Sequence, residues 1–125
     1  MAIVGIGTDL ARIERFRKFL DPENKILKRV FSAEELHYAL KMKDPAPHLA
    51  ARFAAKEAFV KALGTGLRDG LAWQQVIVVR DQLGCPSLQV SGRAAEMLVE
   101  RAVKAIHLSY SHDGDYAVAT VILES

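Results

Sequence analysis

Two short stretches of the chain carry residue types that can do chemistry together. Arg52-Phe53-Ala54-Ala55-Lys56-Glu57-Ala58-Phe59-Val60-Lys61 places a carboxylate, Glu57, four residues before a lysine, Lys61. Gly5-Ile6-Gly7-Thr8-Asp9 ends in a second carboxylate far away in sequence. On a helix of about 3.6 residues per turn, Glu57 and Lys61 are neighbours. Ala50, Ala54 and Ala58 share their face, and such small side chains let a ligand approach the backbone. Two carboxylates and a lysine suit a divalent ion bound to a phosphorylated ligand. Spacing alone favours the ordinary reading, a surface ion pair worth about 0.3–0.5 kcal/mol. Lys56 projects into the apolar stripe of the same helix, where it either snorkels to water or pairs with a buried acid.

These residues need a helix and a strand to position them. Pro47 suits the first position of a helix, and Gly64 suits a left-handed cap at its end. The eight alanines and leucines between them favour a helix over Pro47–Leu63, with Leu49, Phe53, Val60 and Leu63 as its apolar stripe. Ile3 to Thr8 reads as a short buried strand that delivers Asp9. Leu10 to Leu20 reads as a helix with Leu10, Ile13, Phe16 and Leu20 inward. Asp21-Pro22 reads as the start of a short helix through Lys28, and Ser32-Ala33-Glu34-Glu35 as a capping box opening a helix through about Met42.

The second half changes period. Gln75–Arg80 and Pro86–Val90 read as strands joined by a turn at Asp81–Cys85. Gly92–Ala105 reads as a helix that Ser91 could cap. Ile106, Leu108 and Tyr110 alternate with His107, Ser109 and Ser111, the pattern of a half-buried strand. Asp113-Gly114 marks a hairpin into a last strand, Tyr116–Leu123. The expectation is an α+β fold: one small domain over residues 1–125, with a mainly antiparallel sheet packed against helices.

Composition narrows the partners. The chain has 125 residues, half of them hydrophobic, enough for a core. No apolar run approaches the ~20 residues of a membrane span, and the N-terminus lacks the basic region of a secretory signal. Cys85 is the one cysteine, which suits a reducing cytoplasm, and it has no metal-type spacing around it. Between Arg12 and Arg29 there are seven basic and three acidic residues, a net +4 that leaves −2 for the rest of a chain whose total is +2. Such a surface either is a solvated face or attracts an acidic partner. Phe16 belongs with the core, so the aromatic platform of a single-strand nucleic-acid binder is missing. Ser109, Ser111, His112 and Asp113 do not make a catalytic triad, because neighbours in one strand and turn cannot converge into nucleophile, base and orienter. His112 is a polar turn residue or a donor to an anionic ligand.

The chain resembles the bacterial holo-acyl-carrier-protein synthases, a family of 4′-phosphopantetheinyl transferases. The likeness runs through Gly5-Ile6-Gly7-Thr8-Asp9, Arg29-Val30-Phe31-Ser32, Arg52 to Ala58, Lys61-Ala62-Leu63-Gly64-Thr65-Gly66, Ser111-His112-Asp113 and Tyr116-Ala117-Val118-Ala119. A WxxKE-like core together with an upstream G-x-D is specific in combination. The resemblance implies transfer of 4′-phosphopantetheine from coenzyme A to a serine of apo acyl carrier protein in fatty acid biosynthesis, releasing adenosine 3′,5′-bisphosphate. It implies Mg²⁺ held by Asp9 and Glu57, with Lys61 neutralising phosphate. Arg52, Gly64, Ser111 and His112 would contact coenzyme A. Arg15 first, then Arg12, Lys18 and Lys28, would receive the acidic carrier protein. It also implies a cytoplasmic homotrimer with sites at subunit boundaries, and no nucleic-acid or membrane partner. Two positions depart from the family pattern: Arg12 replaces a usual acid, and Cys85 replaces a usual lysine.

The chemistry agrees with the resemblance. Mg²⁺ takes oxygen ligands, typically one or two carboxylates plus phosphate and water. Glu57, acting through a water, is the candidate base for the incoming serine. Two other readings use the same residues: a non-catalytic module binding an acidic partner or nucleic acid through the basic region, and a Mg²⁺-dependent nucleotide hydrolase.

Overall fold

The computed structural model describes residues 1–125. In chain order the elements are β1 (Ile3–Arg12), α1 (Ile13–Phe19), α2 (Ile26–Val30), α3 (Ala33–Leu40) and α4 (Pro45–Leu63). A 3₁₀ turn (Trp73–Gln75), β2 (Val76–Arg80), β3 (Pro86–Val90), α5 (Gly92–Glu100), β4 (Ala105–Asp113) and β5 (Tyr116–Glu124) follow. The architecture is α+β, and every strand pairing is antiparallel. One sheet has the order β1-β5-β4, and β2-β3 form a separate hairpin.

Helix α4 is the spine of the molecule. Its alanines Ala46, Ala50, Ala54, Ala55 and Ala58 are completely buried, as are Leu49 and Phe59. Small residues let the sheet come close, and β1 answers with glycine. A Cβ on Gly7 would collide with the Ala58 carbonyl oxygen, and one on Gly5 with that of Ala62. Only glycine permits this approach of strand to helix. Gly64, at φ +79°, ends α4 in the left-handed conformation, its N–H donating to the carbonyls of Val60 and Lys61.

Several boundaries differ from the sequence expectation, each for a local reason. β1 runs on to Arg12, because Asp9, Leu10, Ala11 and Arg12 pair with Ala119, Val118, Ala117 and Tyr116. Leu10 is therefore an outward strand residue, 62% exposed, not an inward helical one. β1 is also not a buried strand. Gly7 and Ala11 face the core, whereas Val4, Ile6 and Leu10 face outward. Asp21-Pro22 forms a turn, with the Asp21 carboxylate accepting from the Glu23 N–H, and the next helix starts only at Ile26, whose N–H donates to Asn24. α4 starts two residues early, at Pro45. α5 stops at Glu100, before the positive φ of Ala102, and Ser91 makes no side-chain cap. The capping box at Ser32 and Glu35 is present as expected.

The charge at Lys56 is buried, not snorkelling. Its ammonium lies 2.8 Å from Glu35 Oε1, and neither side chain touches solvent.

Candidate active site

Asp9 sits on the face of β1 turned toward α4, two residues beyond Gly7. The glycine contacts bring that strand against the last turns of the helix, where Glu57 and Lys61 emerge. Lys61 Nζ donates to Asp9 Oδ1 at 2.9 Å and to the Thr8 carbonyl at 3.1 Å. The Asp9 side chain is only 15% exposed and that of Lys61 is 52% exposed. So Lys61 pairs with the distant aspartate rather than with its helical neighbour, and the i,i+4 surface ion pair is not formed.

Glu57, one turn earlier, is half-buried. Burial raises its pKa above the ordinary carboxylate range, and the negative charge of Asp9 adds to the rise; Lys61 and Arg15 oppose it. The two carboxylates therefore feel each other. A dication between them would offset both the desolvation and the repulsion. The chain holds no cluster of three or more His, Cys, Asp or Glu side chains suited to a metal. A two-carboxylate donor set fits Mg²⁺, which keeps water and ligand oxygens in its shell, and does not make the closed site of a structural zinc.

An open groove of about 400 Å³ begins at Glu57 and Lys61 and continues past Val60, Gly64, Leu67 and Trp73. Its polar end suits phosphate and its apolar walls suit a chain-like group. Trp73 was not among the expected site residues. Its ring packs 5.5 Å from that of Phe53, and the clue in the sequence was only that it is the single tryptophan.

Arg52 belongs to a different place. It is 2% exposed, and its Nη1 donates back to the His48 carbonyl at 3.2 Å. Its guanidinium carbon lies 4.3 Å from the Tyr38 ring centroid, and that of Arg80 lies 5.3 Å from the same ring. These groups line a second cleft, of about 560 Å³, between α3, α4 and the β2–β3 hairpin. The His112 ring is 6.1 Å from that of His48. Burial, then the charges of Arg52, His112 and Arg80, hold the His48 pKa below the ordinary histidine value. Arg52 Nε is buried without a partner. The cleft is of mixed charge: Arg52 and Arg80 share its lining with the carboxylates of Glu34 and Asp81.

Strand alternation separates the other two residues. Ser111 lies in a cross-strand row with Val118 and Leu10, on the outer face of the sheet, whereas His112 points to the inner side. The two side chains therefore leave opposite faces of the sheet. The same alternation removes any Ser-His-Asp triad. Cys85 is an exposed free thiol in the hairpin turn, which the Asp81 carboxylate shapes by accepting from the Leu83 and Cys85 N–H groups.

The basic region is solvent-facing. Arg15, Lys18, Lys28 and Arg12 are all exposed, and of this segment only Arg17 is held in ion pairs, to Asp44 and Glu14. Arg15 lies over the Phe16 and Phe53 rings, 6.0 and 5.9 Å from their centroids, close enough to act on Glu57. Arg12 leaves the outer face of β1 and donates to the Tyr116 hydroxyl at 3.3 Å.

The chain belongs to the 4′-phosphopantetheinyl transferase superfamily, whose family profile matches residues 5–121. It is 55% identical to the holo-[acyl-carrier-protein] synthase of Syntrophotalea carbinolica over 96% of this chain and 94% of that protein. The crystal structure of the Neisseria meningitidis holo-[acyl-carrier-protein] synthase superposes with a TM-score of 0.88 at 34% identity, covering 99% of this chain and all of that one. The Bacillus anthracis synthase, crystallised in complex with CoA (3′,5′-ADP), superposes with a TM-score of 0.81 at 37% identity, covering 98% of this chain and 97% of that one. The protein is thus an enzyme of the phosphopantetheinyl transferase class, similar along its whole length to the holo-acyl-carrier-protein synthases.

Proposed function

We propose that the enzyme transfers 4′-phosphopantetheine from coenzyme A to a serine of an acidic apo acyl carrier protein, with Mg²⁺, releasing adenosine 3′,5′-bisphosphate. The observation that carries this reading is the meeting of Asp9, Lys61 and Glu57 at the head of the groove. Asp9 and Glu57 would hold the ion, which when bound polarises the phosphoryl group and offsets charge on the leaving phosphate. Lys61 supplies a compact positive charge to the pyrophosphate. The serine oxygen forms the new bond to phosphorus as the bond to the adenosine bisphosphate breaks. Its proton passes through a water to Glu57, the carboxylate placed at the head of the groove. Gly64 leaves the groove wall bare of side chain beside the phosphates.

The basic groups Arg52, Arg80, His48 and His112, which lie near one another, receive a further phosphate of coenzyme A. Because these groups lie apart from the groove, and because Ser111 and His112 face opposite ways, we assign the complete site to a subunit boundary. The outer sheet face, with Ile6, Leu10, Tyr116 and Val118 exposed, is the surface that joins copies into a trimer. The exposed Arg15, Lys18 and Lys28 receive the carrier, and Arg12 flanks them. No helix is long and apolar enough to cross a membrane, and the exposed free thiol Cys85 suits a reducing cytoplasm.

The test is incubation with coenzyme A, Mg²⁺ and apo carrier protein, read by mass spectrometry. Gain of a phosphopantetheine mass on the carrier supports transfer. Hydrolysis of coenzyme A without carrier supports the hydrolase reading, and no consumption at all supports a binding module.

A further inference from the structure

We infer that the buried Lys56–Glu35 pair is a positioning device for the groove, fixing the backbone at Trp73 so that its indole stands as the wall facing Glu57. The inference rests on the groove being the transfer site.

The ammonium of Lys56 spends all its donors on three different segments. It lies 2.8 Å from Glu35 Oε1 of α3, donates to the Val76 carbonyl of β2 at 2.6 Å, and to the Trp73 carbonyl at 3.1 Å. Glu35 is satisfied in turn. Its Oε1 accepts from the Ser32 N–H and its Oε2 from the Val78 N–H, each at 2.9 Å. Every partner of the pair is therefore oriented, and the pair sits fully out of water.

Stability alone is a poor reason to place this pair there. A buried ion pair is often no more stable than apolar residues of the same volume, since desolvation offsets the attraction. What a pair adds that packing does not is direction. Here the direction ends at Trp73, the first residue of regular structure after residues 64–72, a mostly exposed connection that forms the far end of the groove. Lys56 is also the residue immediately before Glu57 on a rigid buried helix. The clamp thus ties the tryptophan wall and the catalytic carboxylate to one turn of α4. The distance across the groove is set before a ligand arrives. Phe53 completes the seat, its ring 5.5 Å from the indole.

Trp73 is the single tryptophan, so its fluorescence reports its own position in the full-length protein without reference to activity. The variants are Lys56→Met and the double change Lys56→Met with Glu35→Gln. The double change leaves no unpaired buried charge and keeps an acceptor for the Val78 N–H. In whichever variant retains the native far-ultraviolet circular dichroism, Trp73 emission should shift to the red and its acrylamide quenching constant should rise about twofold. The KM for coenzyme A should rise about tenfold with kcat changed by less than about threefold, the signature of lost ligand positioning and not of lost chemistry. Trp73→Leu, which keeps the clamp and removes the wall, should reproduce the KM effect. Unchanged emission and quenching in a folded variant would overturn the inference, as would a Trp73→Leu enzyme with normal KM. If neither variant folds, the pair is a folding brace and the inference falls. Loss of the transfer reading is a separate result: wild-type protein that moves no phosphopantetheine removes that reading while the fluorescence still decides the clamp.

Discussion

Lys61 Nζ and Asp9 Oδ1, from residues 52 positions apart, stand 2.9 Å from each other at the point where β1 meets the end of α4. The contact closes the long loop of chain between the first strand and the central helix. It also leaves Glu57 beside a carboxylate that is already paired with a lysine. The first prediction concerns these acids. Asp9→Asn and Glu57→Gln each keep the shape and remove one metal-binding charge. Each should lower the rate of transfer by at least about a hundredfold, with weaker Mg²⁺ binding by calorimetry and an unaltered circular dichroism spectrum. Near-normal transfer in both would refute the assignment of the ion.

The second prediction follows from the pKa of Glu57. Its folded pKa is raised by burial and by Asp9, so the folded state holds this proton more tightly than the unfolded chain. The resulting stabilisation is fully present below the unfolded value of about 4.3 and is lost as pH rises through the higher folded value. At pH 8 the ionised group is a small liability, discounted because the side chain is only partly buried. Glu57→Gln should therefore raise Tm at pH 8 by up to about 2 °C, with the difference shrinking toward pH 4. Activity should show the opposite sense, with an acid limb above the ordinary carboxylate range that moves downward as Mg²⁺ is increased. A Tm at pH 8 lower than wild type would contradict this account.

Gly7 supplies the third prediction. A side chain there meets the Ala58 backbone, which cannot swing aside. Gly7→Ala should cost about 2–3 kcal/mol in urea unfolding. Transfer should fall further than stability requires, because β1 must back away and carry Asp9 off Lys61. The measurement is kcat under conditions where circular dichroism shows the variant folded.

How far the sequence disclosed these relationships varies with the physics behind them. The helix boundaries at Gly64 and Ser32 were legible because capping is local chemistry. The antiparallel hairpin into β5 was legible from Asp113-Gly114. Asp9, Glu57 and Lys61 were legible as candidates by type and spacing, but not their pairing, since partner choice across 52 residues is set by two glycine contacts. Leu10 was misread because an apolar residue beside Ile13 and Phe16 fits a helical stripe. The exposed apolar face of β1 is invisible to a rule that buries hydrophobic residues. Lys56 was ambiguous because its acid, Glu35, arrives from another helix. Trp73 carried no spacing signal at all; its place depends on the packing of a 3₁₀ turn.

Arg15 gives the fourth prediction. It stacks over Phe53 and acts on Glu57 from the exposed side of α1, between the basic surface and the groove. Arg15→Glu should raise the KM for carrier protein about tenfold or more, chiefly through slower association, with a smaller effect on the KM for coenzyme A. The carrier effect should diminish with added salt. Equal effects on both substrates would place Arg15 in the coenzyme A site instead.

The last prediction tests whether the site is divided between copies. The groove at Glu57 and Lys61 and the cleft at Arg52 and Arg80 are distinct cavities in one protomer, and His112 stands 6.1 Å from the ring of His48, whose carbonyl accepts from Arg52. If a complete site joins the groove of one copy to the cleft of the next, Asp9→Asn and His112→Ala damage different halves. Subunits exchanged between the two variants then rebuild intact sites wherever a sound groove meets a sound cleft. In a random one-to-one mixture about one quarter of boundaries satisfy this, so transfer should recover toward a quarter of the wild-type rate although each variant alone is weak. A Leu10→Asp change in both, which places a charge on the exposed apolar face of β1, should prevent assembly by light scattering and abolish the recovery. Mixtures no more active than the average of the separate variants would show that each protomer works alone.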